Sequence, residues 1–336
     1  MISRDRTYKG LFLMDQSAYK KIYGLNEREM IKSLIEIDDV AQTSITIHQN
    51  PSLLNNIDFL LTGWGCPSLT NELLDHAPNL KAVFHGAGSI RPIVTDTFWD
   101  RNILISSAYQ ANDIPVAEFA LAQILLSLKG YWQHVRRFKE SGQWWGHLPT
   151  AGVYGSTVGL VSLGMIGRMV AEHLKQFDVH VLAYDPFATQ DMESQLNLKL
   201  CSLNEIFIRS DVVSLHTPYT NETEGMITGK HIEWMKPGAT LINTARGGII
   251  RQDEMVAVIK KRPDLFALLD VTTPEPPLLN SELLQLSNIV ISPHLAGAND
   301  MEAKRNGSLI ANELKRFVNC EPLSFVITRE QAAKMA

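Results

Sequence analysis

The stretch Thr157-Val158-Gly159-Leu160-Val161-Ser162-Leu163-Gly164-Met165-Ile166-Gly167-Arg168 decides the fold. A five-residue apolar run stops at a turn of small residues and passes straight into a helical pattern, Gly167–Phe177. The turn has G-x-G-x-x-G spacing with Ser162 in the first position. Gly164 leaves room for backbone to approach a pyrophosphate, and Gly167 lets helix pack closely on strand. Alone, such a turn is a weak signal, and a side chain at Ser162 is strained in so tight a bend. The next apolar run, Val179–Tyr184, ends at Asp185, eighteen residues beyond Gly167. A carboxylate there accepts the ribose hydroxyls of NAD and repels the 2′-phosphate of NADP. Turn and acidic residue within one βαβ unit predict dinucleotide binding, with Gly164, Met165, Ile166 and Asp185 against the ligand.

Working outward, four further apolar runs follow: Val212–Leu215, Thr240–Asn243, Phe266–Leu269 and Ile289–Ser292. Helical patterns at Leu203–Ile208, Lys230–Met235, Asp253–Lys260 and Ser281–Leu286 lie between them. Six strands with five crossovers predict a doubly wound parallel α/β sheet of the Rossmann type. Upstream, Gly10–Met14, Ser44–His48, Asp58–Thr62, Lys81–Phe84 and Ile103–Ser106 read as strands of a second α/β layer structure, with helices at Glu27–Ile37 and Leu69–Asp75. Val116–Ser141 reads as one long helix broken near Gly130, apolar first and basic later. A Trp- and Gly-rich loop, 142–155, follows. Asn299–Phe317 reads as a last helix, and Leu323–Thr328 as a terminal strand or tail.

The chain has 336 residues, 45% hydrophobic and 20% charged, enough for two ordinary globular cores. Thirty-one basic against thirty-six acidic residues give a net charge of -5, which argues against nucleic acid or a membrane as partner. Three scattered cysteines fit a reducing compartment. Met1–Tyr8 is polar, and Val116–Leu128 is too short to span a bilayer. These features predict a cytoplasmic protein, and no metal-ligand set is read.

Ligands of such a sheet bind beyond the carboxyl ends of its strands. The third strand ends in His216-Thr217-Pro218, which can line the cofactor. The fourth ends in Asn243-Thr244-Ala245-Arg246, where Thr244 and Ala245 lie beside the cofactor and Arg246 presents a planar fork to a carboxylate. The fifth ends at Asp270, placed to accept the nicotinamide carboxamide, with Glu275 in the proline-rich loop that follows. The sixth ends in Pro293-His294, with Gly297 just beyond. One arginine, one glutamate and one histidine thus arise from three consecutive strand ends. Reducing a 2-keto acid needs a hydride donor, a proton donor and a cation for the carboxylate. His294 can supply the proton, Glu275 can favour its charged form and fix its tautomer, and Arg246 can bind the acid and polarise its carbonyl.

At these residues the chain resembles the D-isomer-specific 2-hydroxyacid dehydrogenase family. N-T-A-R-G matches Asn243–Gly247, D-V-x-x-x-E-P matches Asp270–Pro276, P-H-x-A-G matches Pro293–Gly297, and V-A-E matches Val116–Glu118. The resemblance implies a Rossmann-type NAD domain (111–298) inserted into a flavodoxin-like substrate domain (1–110 and 299–336). It implies a homodimer through the helix after Val116, and a substrate of the small 2-hydroxy or 2-keto acid class. It also implies that His85, Gly86, Ala87 and Gly88 bind the acid through backbone N–H groups, alongside Arg246 and His294, with Gly63-Trp64-Gly65 as a second wall. Two departures are Ser162 in the fingerprint and Ser89-Ile90-Arg91-Pro92 after Gly88, where Arg91 is either a solvated cation or a hint of a larger or phosphorylated acid. Competing readings are a formate or phosphite dehydrogenase of the same fold, disfavoured by Glu275, and an NAD-sensing corepressor or scaffold.

Overall fold

The computed structural model describes residues 7–142, 144 and 148–335; residues 143 and 145–147 of the Trp-rich loop and 1–6 of the polar N-terminal stretch lie outside them. Two compact units are present, Met1–Asp113 with Ala298–Met335, and Ile114–Gly297.

In the first unit, β1 (Gly10–Leu13), β2 (Ala41–Gln42), β3 (Phe59–Thr62), β4 (Ala82–His85) and β5 (Leu104–Ser107) are parallel, in the order β2-β1-β3-β4-β5. This is the flavodoxin-like order. Because strand side chains alternate, both faces are buried. Phe12, Phe59 and Phe84 pack with Tyr19, Tyr23, Ile310 and Leu314, whereas Leu13, Leu60, Val83 and Ile105 pack with Ile47, Leu73 and Phe98. Register places Leu13, Thr62, His85 and Ser107 side by side at the carboxyl edge.

One expected strand is a helix. Ser44–Gln49 is helical although its alternating Ile and Thr residues favour a strand. Thr43 and Thr46 form a reciprocal cap, each hydroxyl accepting the other's backbone N–H, and of the two isoleucines only Ile47 is buried. The pairing strand is the preceding Ala41–Gln42. Near the C-terminus, Val326 makes a single antiparallel bridge to Ser106, and a short helix, Arg329–Lys334, follows.

In the second unit, β6 (Thr157–Val161), β7 (His180–Tyr184), β8 (Lys199–Leu200), β9 (Val212–Leu215), β10 (Thr240–Asn243), β11 (Phe266–Leu269) and β12 (Ile289–Ile291) are parallel, in the order β12-β11-β10-β9-β6-β7-β8. The chain winds both ways from β6, so the fingerprint turn leaves the sheet at the switch point. Strand β8, a two-residue edge, carries no periodicity, and the sequence reading of six strands omits it. The expected helix Ser281–Leu286 is a single 3₁₀ turn, Glu282–Leu284.

The helix expected from Val116 starts at Tyr109, with Pro115 inside it, and ends at Leu128; Gly130, in left-handed conformation, separates it from the helix Tyr131–Ser141. At 20 residues it is long and apolar enough to cross a membrane, contrary to the shorter apolar run read from sequence. Ala117, Ala120, Ile124 and Leu128 are nevertheless buried against Val158, Leu160, Ile242 and Leu268, the packing of a core helix.

Candidate active site

The fingerprint turn folds as its residues require. A Cβ on Gly167 would lie 2.1 Å from the carbonyl oxygen of Ser162, so only glycine fits there, whereas the space over Gly164 is open. Gly164 precedes the ten-residue helix Met165–Leu174, whose first N–H groups have no partner within the helix. Ser162 takes the left-handed φ of 78° that the missing glycine would favour. Its hydroxyl lies 3.0 Å from Thr217 Oγ1, which also reaches the carbonyl of Val161. At the tip of β7, Asp185 accepts Leu163 N–H through Oδ2 and Phe187 N–H through Oδ1, both at 2.7 Å. The carboxylate is thereby fixed beside the turn. Pro218 contributes its carbonyl, which accepts from Thr223. His216 is fully buried, neither ring nitrogen has a hydrogen-bond partner, and burial lowers its pKa to about 4.

Three neighbouring strands deliver the candidate trio. After β10, the side chain of Asn243 closes the turn, accepting Ala245 N–H at 3.0 Å and donating to Arg246 O at 2.9 Å. Arg246 is half-buried, and its Nη1 donates to Ala245 O. After β11, the Asp270 carboxylate accepts from the Ser292 hydroxyl and from the N–H groups of Leu295 and Ala296. It therefore ties down the turn that carries His294. That turn holds His294 at φ 50°, and its Nδ1 is hydrogen-bonded to Glu275 Oε1. With Nδ1 engaged by a carboxylate, Nε2 is the nitrogen left to exchange a proton with a ligand.

The hold of Asp270 on 292–296 goes beyond the cofactor contact expected of it from sequence. The side chains of Asn243 and Ser292 also have tasks that the sequence does not single out. Their signal was only their place inside the matched motifs. Gly297 ends this turn, partly buried. Thr244 Oγ1 is buried without a partner and borders a cavity lined by Phe119, Gln123, Trp132, Asp270 and Ser292.

In the first unit, Gly86, Ala87 and Gly88 follow β4. The His85 side chain is buried, its Nδ1 lies 2.9 Å from Thr62 Oγ1, and burial lowers its pKa to about 4. Trp64 and Arg91 are exposed. Among the described residues, no group of three His, Cys, Asp or Glu side chains is placed to hold a metal.

Open space over Gly164, a free helix N-terminus, a fixed Asp185 and the unpartnered polar atoms of His216 and Thr244 fit a dinucleotide along the strand tips. Fold and site define a dinucleotide-binding α/β protein. Residues 121–296 match the family model described as "D-isomer specific 2-hydroxyacid dehydrogenase, NAD binding domain". The chain belongs to the D-isomer specific 2-hydroxyacid dehydrogenase family.

It is 35% identical to a D-3-phosphoglycerate dehydrogenase of Archaeoglobus fulgidus over 255 residues, 75% of this chain and 48% of that one. It is 32% identical to a glyoxylate reductase of Korarchaeum cryptofilum over 251 residues, 73% and 75% of the two chains. The chain spans about half the length of the curated phosphoglycerate dehydrogenases it matches. Its fold is similar to that of a glyoxylate reductase from Paecilomyes thermophila, at TM-score 0.78 and 21% identity over 97% of this chain and 100% of that one. An NAD-complexed D-isomer specific 2-hydroxyacid dehydrogenase from Lactobacillus delbrueckii ssp. bulgaricus gives TM-score 0.78 and 20% identity over 95% and 100%.

Proposed function

We propose that this protein is an NAD-dependent dehydrogenase that interconverts a small D-2-hydroxy acid and its 2-keto acid. The observation that carries the reading is the His294–Glu275 pair, with Arg246 on the next strand of the sheet. The cofactor, when bound, supplies or receives the hydride. Gly164, Met165 and Ile166 would cradle its pyrophosphate, Asp185 its adenosine ribose, and His216, Thr217, Pro218, Thr244, Ala245, Asp270 and Gly297 the rest. Glu275 holds Nδ1 of His294, so Nε2 presents a proton to the oxygen on the 2-carbon during reduction and takes it back during oxidation. Arg246 pairs with the acid's carboxylate and draws electron density from the neighbouring carbonyl. In the substrate loop, the backbone N–H groups after Gly86 are the donors offered to a carboxylate, since that of Gly86 itself is taken by Thr62 O. In this reading residues 111–298 are the NAD-binding domain, and 1–110 with 299–336 are the substrate domain.

The reading extends to a cytoplasmic homodimer without a nucleic-acid or membrane partner. Less than half of the most apolar window of Tyr109–Leu128 is buried, and Leu126, Tyr131, Phe138 and Trp144 expose apolar surface nearby in sequence. A second copy would cover them. The test is NADH oxidation against glyoxylate, hydroxypyruvate, pyruvate, branched 2-keto acids and phosphohydroxypyruvate. Turnover of at least one is expected; none would overturn the proposal.

A further inference from the structure

A carboxylate has only acceptors to offer, whereas a peptide loop carries N–H donors and carbonyl acceptors in equal number. A loop that binds an acid must therefore hide its carbonyls. In the loop after β4, one side chain does this. Ser107, fully buried at the tip of β5 and in register with His85, donates its hydroxyl to Ala87 O at 2.9 Å and to Gly88 O at 2.8 Å. One hydrogen is shared between two oxygens. The N–H groups of Ala87 and Gly88 have no hydrogen-bond partner among the described residues, while that of Gly86 is taken by Thr62 O at 2.8 Å. His85 braces the same loop, because its ring contacts both Thr62 Oγ1 and the backbone of Ser89.

We infer that Ser107 is the positioning residue that makes this loop a donor-only cradle and so sets its preference for a carboxylate. The inference rests on the reading that the loop receives the acid. Gly88 makes it necessary. Without a Cβ, glycine lets the peptide planes on either side of it turn over at little steric cost. A turned plane would face the acid with a carbonyl oxygen. The Ser107 hydroxyl selects the orientation in which both carbonyls face the strand tip, so the N–H groups that share their peptide planes, those of Gly88 and Ser89, face away from it. Ser107 touches neither substrate nor cofactor in this role; it acts through Ala87 and Gly88.

The test uses the full chain saturated with NADH and oxamate as the probe carboxylate, its binding read from cofactor fluorescence. Ser107→Ala should weaken oxamate about tenfold and raise KM for the keto acid similarly, with kcat and the NADH Kd within twofold of the parent. Ser107→Cys keeps the side chain's shape and replaces the hydroxyl by a weak donor; it should weaken oxamate about fivefold, and it serves if the alanine variant does not fold. Parent-like oxamate binding in a folded variant would overturn the inference, and so would equal losses of oxamate and NADH. If the parent itself binds neither oxamate nor any 2-keto acid, the proposed function fails and takes this inference with it.

Discussion

The N–H of His294 donates to the carbonyl oxygen of Asp270 at 3.0 Å, so the residue ending one strand fixes the backbone of the residue ending its neighbour. The Asp270 carboxylate adds the N–H groups of Leu295 and Ala296 at 3.0 and 2.9 Å. An Asn at 270 keeps one acceptor and turns an amide NH₂ toward a donor. Asp270→Asn should cost about 1–3 kcal/mol of stability, as an unsatisfied buried donor does, and lower kcat at least tenfold. Urea unfolding and steady-state kinetics measure both. A parent-like kcat would show that His294 is positioned by other means.

Replacing His294 by Ala removes the proton carrier and leaves the strand tips that hold the cofactor intact. Reduction should slow by about 10²–10⁴-fold, the usual contribution of a general acid, with the NADH Kd unchanged. Glu275→Gln keeps a partner for Nδ1 but removes its charge, so its loss should be smaller. Loss of NADH binding in either variant would place these residues in the wrong role.

Asp185 predicts the cofactor choice. The parent should prefer NADH over NADPH, since a 2′-phosphate would meet a carboxylate already fixed by Leu163 and Phe187. Asp185→Ser should raise the NADH KM about tenfold, close to 1.4 kcal/mol, and narrow the gap to NADPH. Equal use of both cofactors by the parent would contradict the assignment.

Acid should destabilise the fold through two histidines. Burial lowers the pKa of both His85 and His216 to about 4, from 6.5 when solvated. Between those values the unfolded chain binds protons that the folded chain refuses. Stability is therefore fully present above pH 6.5 and falls as the pH drops toward 4. Each ring should cost roughly 2 kcal/mol between pH 7 and 5. His85→Gln should flatten the slope of unfolding free energy against pH. A slope identical to the parent's would mean that the imidazole is not buried neutral.

The second unit was legible because its evidence is local. Each strand is a short apolar run, and each functional residue sits just past the end of one. The order of Arg246, Glu275 and His294 along the chain therefore maps onto adjacent positions in the sheet. What stayed hidden depends on cross-chain geometry or on competition between weak local signals. Ile45 and Ile47 alternate as in a strand, yet the Thr43–Thr46 cap wins. Thr62, His85 and Ser107 are widely separated in sequence and meet only through strand register. Ser162 looked like a weakened fingerprint; its bond to Thr217, 55 residues away, offsets part of the left-handed strain.

The division of the chain also sets an order of assembly on the ribosome. Ile114–Gly297 is one continuous segment and can close its sheet as soon as it emerges. The earlier segment cannot, because Ile310, Leu314 and Phe317 cover the same sheet face as Phe12, Phe59 and Phe84. That aromatic face must wait, covered only in part by Tyr19 and Tyr23 of its own segment, through the synthesis of the whole inserted unit. During that interval it is the part of the nascent chain most in need of a chaperone.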